Sequence, residues 1–313
     1  MAQPAISNNP SFAITLKLMA VFLFMVMAAM IKVATQNVPS GEAVFFRSLF
    51  AIPVITFWIW QRGELREGLV PKNLMGHVWR GLFGTSAMAL NFAGLGLLPL
   101  PEVTAIGYAT PIFTVILAAV MLNERIRLVR ISAVALGLIG VMIVMWPRLS
   151  VSDLTNAATI GALMVLGSSI LRALVQVHVR QLVRTEHTAA IVFWFSVTAT
   201  VLSLLTLPFG WVVPKISDLA LLIGAGVIGG VAQILVTSSY RFGAASMLAP
   251  FDYASMLFAI VIGWVVFAEL PTAAMLLGGC LVIAGGALII WRERQLGLKG
   301  GRARARSVTD PKA

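Results

Sequence analysis

One cysteine, Cys280, stands in the whole 313-residue chain, so no disulfide can close within it and metal or redox centres built on cysteine are excluded. Charge is also scarce. Only 11% of the residues are charged against 59% apolar, with mean hydropathy +0.94, a balance that a soluble domain of this length could not bury in one core. The three histidines, His77, His178 and His187, show no metal-ligand spacing, and neither a phosphate loop nor an HExxH box is present. No metal, no cofactor and no ATP coupling within the chain is indicated. The connections between apolar runs are too short for a soluble catalytic domain, the longest reaching from about Arg62 to Met75, so the chain does not read as an enzyme.

What fills the sequence is apolar runs of the roughly 20 residues that cross a hydrocarbon core. Ten are predicted: Phe12–Ala34, Glu42–Gln61, Gly76–Leu97, Pro101–Asn123, Leu128–Trp146, Ala158–Val179, His187–Pro208, Asp218–Tyr240, Ala244–Ala268 and Thr272–Trp291. They lack the alternation of barrel strands, and helices satisfy their own backbone in lipid. The first is read as a mature helix, its leader having no basic cluster.

The net charge of +11 raises the question of a nucleic-acid partner, which its distribution answers. Seventeen basic residues fall on one side of the ten-span arrangement: Lys17, the Arg62 to Lys72 loop, Arg125 to Arg130, Arg180, Arg184, Arg241 and seven from Arg292 to Lys312. Arg148 and Lys215 alone fall on the other. This bias places both termini in the cytoplasm and calls for lipid, not nucleic acid, as the surrounding partner.

At an offset of 145 residues the chain resembles itself without a gap. Gly81 meets Gly226, Gly84 meets Gly229, Tyr108 meets Tyr253, Glu124 meets Glu269, Gly140 meets Gly285 and Trp146 meets Trp291. Five spans per repeat is an odd number, so the second copy enters the membrane inverted, an architecture of many secondary transporters. The expected organisation is a first five-helix repeat over 1–147, a second over 148–292 and a basic cytoplasmic tail over 293–313.

The segment Pro101-Glu-Val-Thr-Ala-Ile-Gly-Tyr-Ala-Thr-Pro111 through Glu124, with Gly137 to Gly140 and the repetition at Glu269 and Gly285, resembles EamA-type members of the drug/metabolite transporter superfamily. The resemblance implies an all-α membrane protein of the bacterial inner membrane, two five-helix bundles around a central cavity lined mainly by the first, third and fourth helices of each half. It implies a monomeric exporter of small metabolites, the YddG-like amino-acid exporter branch being nearest, with drugs and nucleotide-like metabolites as alternatives. A passive channel and an intramembrane enzyme are further readings that the fold alone leaves open.

Charged groups at membrane depth call for a reason. Arg172 and Asp252 lie at matching depths in the sixth and ninth spans, either paired with each other or available to the carboxylate and ammonium of a zwitterionic solute; snorkelling of Arg172 is the plain alternative. Asp252 is also the deepest acid, hence the candidate for proton coupling, and its repeat partner is Gly107. Tyr108 and Tyr253 suit a cavity wall, or an interhelical hydrogen bond. Asn91, Gln233, Thr237 and Ser238 supply uncharged polar groups to a site or to helix contacts. Pro111 and Pro250 interrupt their spans beside the tyrosines, and Gly81, Gly84, Gly226 and Gly229 permit close helix contact and rocking. Lys32, Arg47 and Arg80 read as snorkelling to an interface.

Overall fold

A computed structural model of the chain describes residues 10–122, 128–148, 156–182, 185–242, 248–288 and 291. Glu124, the expected start of the ninth span at Ala244 and the basic tail from Arg292 lie outside these residues. The described chain contains no strand. Its helices are α1 (Pro10–Ala34), α2 (Ser40–Gln61), α3 (Leu65–Leu69), α4 (Leu74–Leu97), α5 (Leu100–Gly107), α6 (Ala109–Leu122), α7 (Leu128–Met145), α8 (Ala157–Leu182), α9 (Thr188–Ser203), α10 (Ile216–Phe242), α11 (Ala254–Phe267) and α12 (Ala273–Leu288).

Long apolar stretches without a breaker make the longest of these, and local chemistry ends them. The Asn73 side chain caps α4 by accepting the Gly76 N–H at 2.9 Å. Gly63 and Gly210 close the ends of α2 and of the 3-10 turn Leu204–Phe209 with left-handed backbone, φ 68° and 87°. The Arg62 to Met75 connection is not plain loop, because it carries the short helix α3.

Among the described residues, five helices are long and apolar enough to cross a membrane: Ser11–Ala34, Ser40–Gln61, Ala157–Val179, Ala189–Phe209 and Ile216–Ser239. Two of the expected spans are not continuous helices. The fourth is two helices, α5 and α6, meeting at Tyr108; Pro111 has no N–H to give the Gly107 carbonyl, and the Tyr108 N–H instead reaches Thr104 and Ala105, each at 3.3 Å. In the ninth, a 3-10 turn, Ala249–Tyr253, precedes α11 and holds Pro250 in its first positions. Polar residues such as His77, Arg80 and Asn91 lower the hydropathy of α4.

Contacts fix the relative directions. The Phe12 and Phe242 rings meet edge to face at 5.0 Å, and the Asn37 amide lies 3.3 Å from the Asp218 carboxylate, so α1 and α10 run antiparallel along their lengths. The end of α4 lies beside the end of α1, through Gly96 and Thr35, which makes α4 and α10, counterparts in the repeat, antiparallel to one another. We call the Phe12–Phe242 end the near end and the Asn37–Asp218 end the far end.

The glycines singled out by the repeat are where helices touch. Gly81 and Gly84 of α4 press on Thr198 and Phe195 of α9, whereas Gly226 and Gly229 of α10 press on Phe50 and Arg47 of α2. Thus α4 lies against α9, and its repeat counterpart α10 lies against α2. Gly140 of α7 and Gly278 of α12 pack backbone to backbone: a Cβ on either would sit 2.6 or 2.5 Å from the carbonyl oxygen of the other. The surface is apolar, with Val120, Val201, Trp264 and Val265 exposed, while Lys17, Lys32, Glu42, Arg47 and Glu102 are buried. Polar inside and apolar outside is the pattern of a protein surrounded by lipid.

Candidate functional site

The break at Tyr108 and the 3-10 turn ending at Tyr253 bring the two tyrosines together. Their rings meet edge to face at 5.2 Å, and the Tyr108 hydroxyl donates to the Tyr253 carbonyl at 3.2 Å and lies 2.6 Å from the Ser255 hydroxyl. Ser255, which nothing in the sequence distinguished from other helix hydroxyls, therefore belongs to this contact. The Tyr253 hydroxyl lies against Gly286 of α12, at a place where a Cβ could not fit.

Arg172 reaches the same region from α8. Its Nη2 lies 3.4 Å from the Asn91 amide oxygen of α4 and 3.4 Å from the Ser169 hydroxyl, while its Nε is buried without a hydrogen-bond partner. The guanidinium passes over Gly107, next to Tyr108, with Nη2 3.3 Å from where a Cβ would stand. Gly107 is the counterpart of Asp252, so one half places an arginine where the other places a carboxylate. Arg172 and Asp252 are not paired with each other.

Asp252 belongs instead to Lys17. The Lys17 ammonium lies 2.6 Å from Asp252 Oδ1; the lysine side chain is 3% exposed and the aspartate 52%. Lys17, counted from the sequence among the charges outside the membrane, is thus a buried member of α1, and it ties the first half to the second. Gln233 is half-buried on α10, where its carbonyl accepts the Thr237 hydroxyl at 2.8 Å. Pro111 is exposed on α6, Pro250 lies in the turn before Tyr253, and Ser238 is half-buried.

A second ion pair closes the far end. Lys32 Nζ lies 2.9 Å from Glu269 Oε1 and donates to the carbonyls of Leu95 and Leu98, the last acceptors of α4. Glu269 Oε2 in turn accepts the Leu100 N–H, the first of α5, at 2.8 Å. A cation at the C-terminus of one helix and a carboxylate at the N-terminus of the next both match the helix dipoles. The backbone aims Glu269 there: Ala268 takes a left-handed φ of 54°, uncommon for a residue with a Cβ, and the Glu269 N–H returns to Gly263 at 2.9 Å. Lys32 is therefore a locked partner and not a snorkelling side chain. Toward the near end the polar side chains Gln176 and Asp252 are exposed, Gln176 accepting the Thr114 hydroxyl at 2.9 Å. Among the described residues no cluster of His, Cys, Asp or Glu could hold a metal ion.

An inside-out polarity, helices broken beside facing tyrosines, and charges tying the two halves at different depths define a polytopic membrane protein with a polar core suited to a small solute. The chain belongs to the EamA-like transporter family, which matches it twice, over residues 11–146 and 159–291, and so to the drug/metabolite transporter superfamily. It is a multi-pass protein of the bacterial inner membrane, and its kinship points to a transporter rather than an enzyme.

Similar proteins run nearly its full length. The pseudopaline exporter CntI of Pseudomonas aeruginosa is 30% identical over 276 residues, 86% of this chain and 93% of that one. An S-adenosylmethionine uptake transporter of Rickettsia felis is 25% identical, over 82% and 84% of the two chains, and a riboflavin transporter of Rhizobium johnstonii 28% identical, over 94% and 96%. A solved crystal structure at 20% identity covers 91% of this chain and 99% of its own with a TM-score of 0.63, a likeness of fold. Different solutes and both directions of transport appear in these names. Kinship therefore defines a small-molecule transporter and does not single out the amino-acid exporter branch.

Proposed function

We propose that the protein is a secondary carrier working by alternating access, with ten membrane segments as two inverted five-helix halves, 1–147 and 148–292, and both termini in the cytoplasm. Its solute is a small metabolite bearing a carboxylate, amino acids with large or aromatic side chains among them, moved outward. Asn91, Tyr108, Arg172, Gln233, Asp252 and Tyr253 line its path: Arg172 for the carboxylate, Asp252 for an ammonium group, and the tyrosine rings for an apolar or aromatic side chain.

The observation that carries this reading is the unequal state of the two ends. The far end is shut by Lys32, Glu269 and the facing ends of α4 and α5, while polar side chains at the near end stay exposed. That is the arrangement of a carrier waiting on one side, and the glycine contacts let one bundle rock on the other. The relative named as an exporter supports outward movement. A nucleotide-like or flat aromatic solute is a second reading, favoured by the paired rings and by the riboflavin-named relative.

The test is a panel of amino acids, nucleosides and cationic drugs, read by thermal stabilisation of the purified protein and then by counterflow in preloaded proteoliposomes. A carrier exchanges its solute across the membrane; a channel gives flux without counterflow. Stabilisation by no amino acid would remove that solute class, and flux without counterflow would remove the carrier.

A further inference from the structure

Two further arginines, read from the sequence as interfacial, lie among α2, α4, α9 and α10, Arg47 buried and Arg80 half-buried. Arg47 is 6% exposed, and its Nε has no hydrogen-bond partner. Arg80 lies with its guanidinium 3.9 Å from the centre of the Phe195 ring, its Nε equally without a partner. Among the described residues neither forms an ion pair; Asp252, Glu269 and Glu186 pair with Lys17, Lys32 and His77. Both belong to one cluster of helices: Val192 of α9, one turn from Phe195, packs with Ala51 of α2, one turn from Arg47.

Each rests on a glycine, and the two glycines are repeat counterparts. A Cβ on Gly84 would strike Nη1 of Arg80, and a Cβ on Gly229 would come within 3.3 Å of Nε and Nη2 of Arg47. Two buried hydroxyls of the same helices, Ser48 on α2 and Thr85 on α4, also lack partners. Ring contact satisfies one face of Arg80 and leaves its N–H edge free. Two arginines in one helix cluster, neither in an ion pair and each with its Nε unspent, call for an anion from outside the chain.

We propose that Arg47 and Arg80 form an anion-binding site between the helices that takes a carboxylate or phosphate group of the transported solute. Two planar forks of N–H donors suit those groups bidentately. The site is continuous with the candidate path: Gly229 lies one helical turn from Gln233, and Gly84 about 10 Å along α4 from Asn91. It rests on the carrier reading and narrows it to anionic solutes.

The test is thermal unfolding of the purified full chain in citrate or inorganic phosphate against chloride at matched ionic strength, for the wild type, Arg47→Gln, Arg80→Gln and the exposed control Arg66→Gln. These anions stabilise most proteins by exclusion, so the variants supply the baseline. The wild type and Arg66→Gln are expected to show a saturating rise in Tm, whose half-saturating concentration increases at least about tenfold in Arg47→Gln and Arg80→Gln. Without anion, Arg47→Gln should melt no lower than the wild type, because an unpaired buried charge has been removed. An equal dose response in all four proteins, or marked loss of stability in both glutamine variants with no change in anion response, overturns the proposal. If one variant does not fold, the other decides.

Nanodiscs of phosphatidylglycerol against phosphatidylcholine separate the sources: a phosphatidylglycerol effect that Arg47→Gln abolishes assigns the same site to a lipid phosphate. Counterflow on the same preparations keeps the two readings apart. Counterflow without an anion response removes only the anion site, and an anion response without counterflow removes the carrier.

Discussion

The Tyr108 hydroxyl donates to the main-chain carbonyl of Tyr253, its counterpart 145 positions further on, at 3.2 Å. The bond joins the two halves where each has a broken helix. Tyr108→Phe keeps the ring contact and removes the hydroxyl's bonds to Tyr253 and Ser255, so it should cost about 1 kcal/mol of stability and slow counterflow. Tyr253→Phe should cost less, because among the described residues the Tyr253 hydroxyl has no hydrogen-bond partner and packs against Gly286. Chemical denaturation of the two variants checks the order.

Asp252→Asn leaves Lys17 buried without its carboxylate. We expect a loss of about 1–3 kcal/mol, below the value for a fully buried pair because Asp252 is half exposed. The double variant Lys17→Met with Asp252→Asn should recover part of it, which a double-mutant cycle measures. A double variant no more stable than the sum of the single changes would show that the pair is not coupled.

At the far end, Glu269→Gln should loosen the closure while a side-chain oxygen still caps α5. The charge reversal Lys32→Glu with Glu269→Lys should not rescue it. The reversed pair would put each charge against the wrong end of a helix dipole, at about 0.3–2 kcal/mol each. Rescue, read as restored Tm, would mean that the pair acts alone, without the helix ends.

Gly278→Val forces a branched side chain into the Gly140 backbone. Separation of α7 from α12 should cost about 1–3 kcal/mol or more, whereas Val265→Ala, exposed to lipid, should change Tm little. Parallel melts of the two variants test this.

Much of this was legible in one dimension. The 145-residue register pointed to the tyrosine pair and to the glycine contacts, because repeated local sequence makes repeated local structure, and Pro111 foretold the break that falls three residues before it. What depends on the rotation of one helix against another was not. Depth along a helix says how far a charge lies from the interface and nothing of which neighbour it faces. Arg47 and Arg80 thus read as snorkelling, Lys17 as a charge of the cytoplasmic side, and Arg172 and Asp252 as either paired or open to a zwitterionic solute, whereas Asp252 pairs with Lys17. Ser255 gave no signal, one hydroxyl among many in an apolar helix.

The central claim, one polar site reached from one side at a time, is tested most directly by thiol accessibility. A single cysteine at Ser255, with Cys280→Ser removing the exposed native thiol, should react with a membrane-impermeant reagent from the cytoplasmic side in the unmodified background. Adding Glu269→Gln should raise labelling from the opposite side and lower it from the first. Labelling from both sides at once, unchanged by Glu269→Gln, would contradict alternating access and describe a channel.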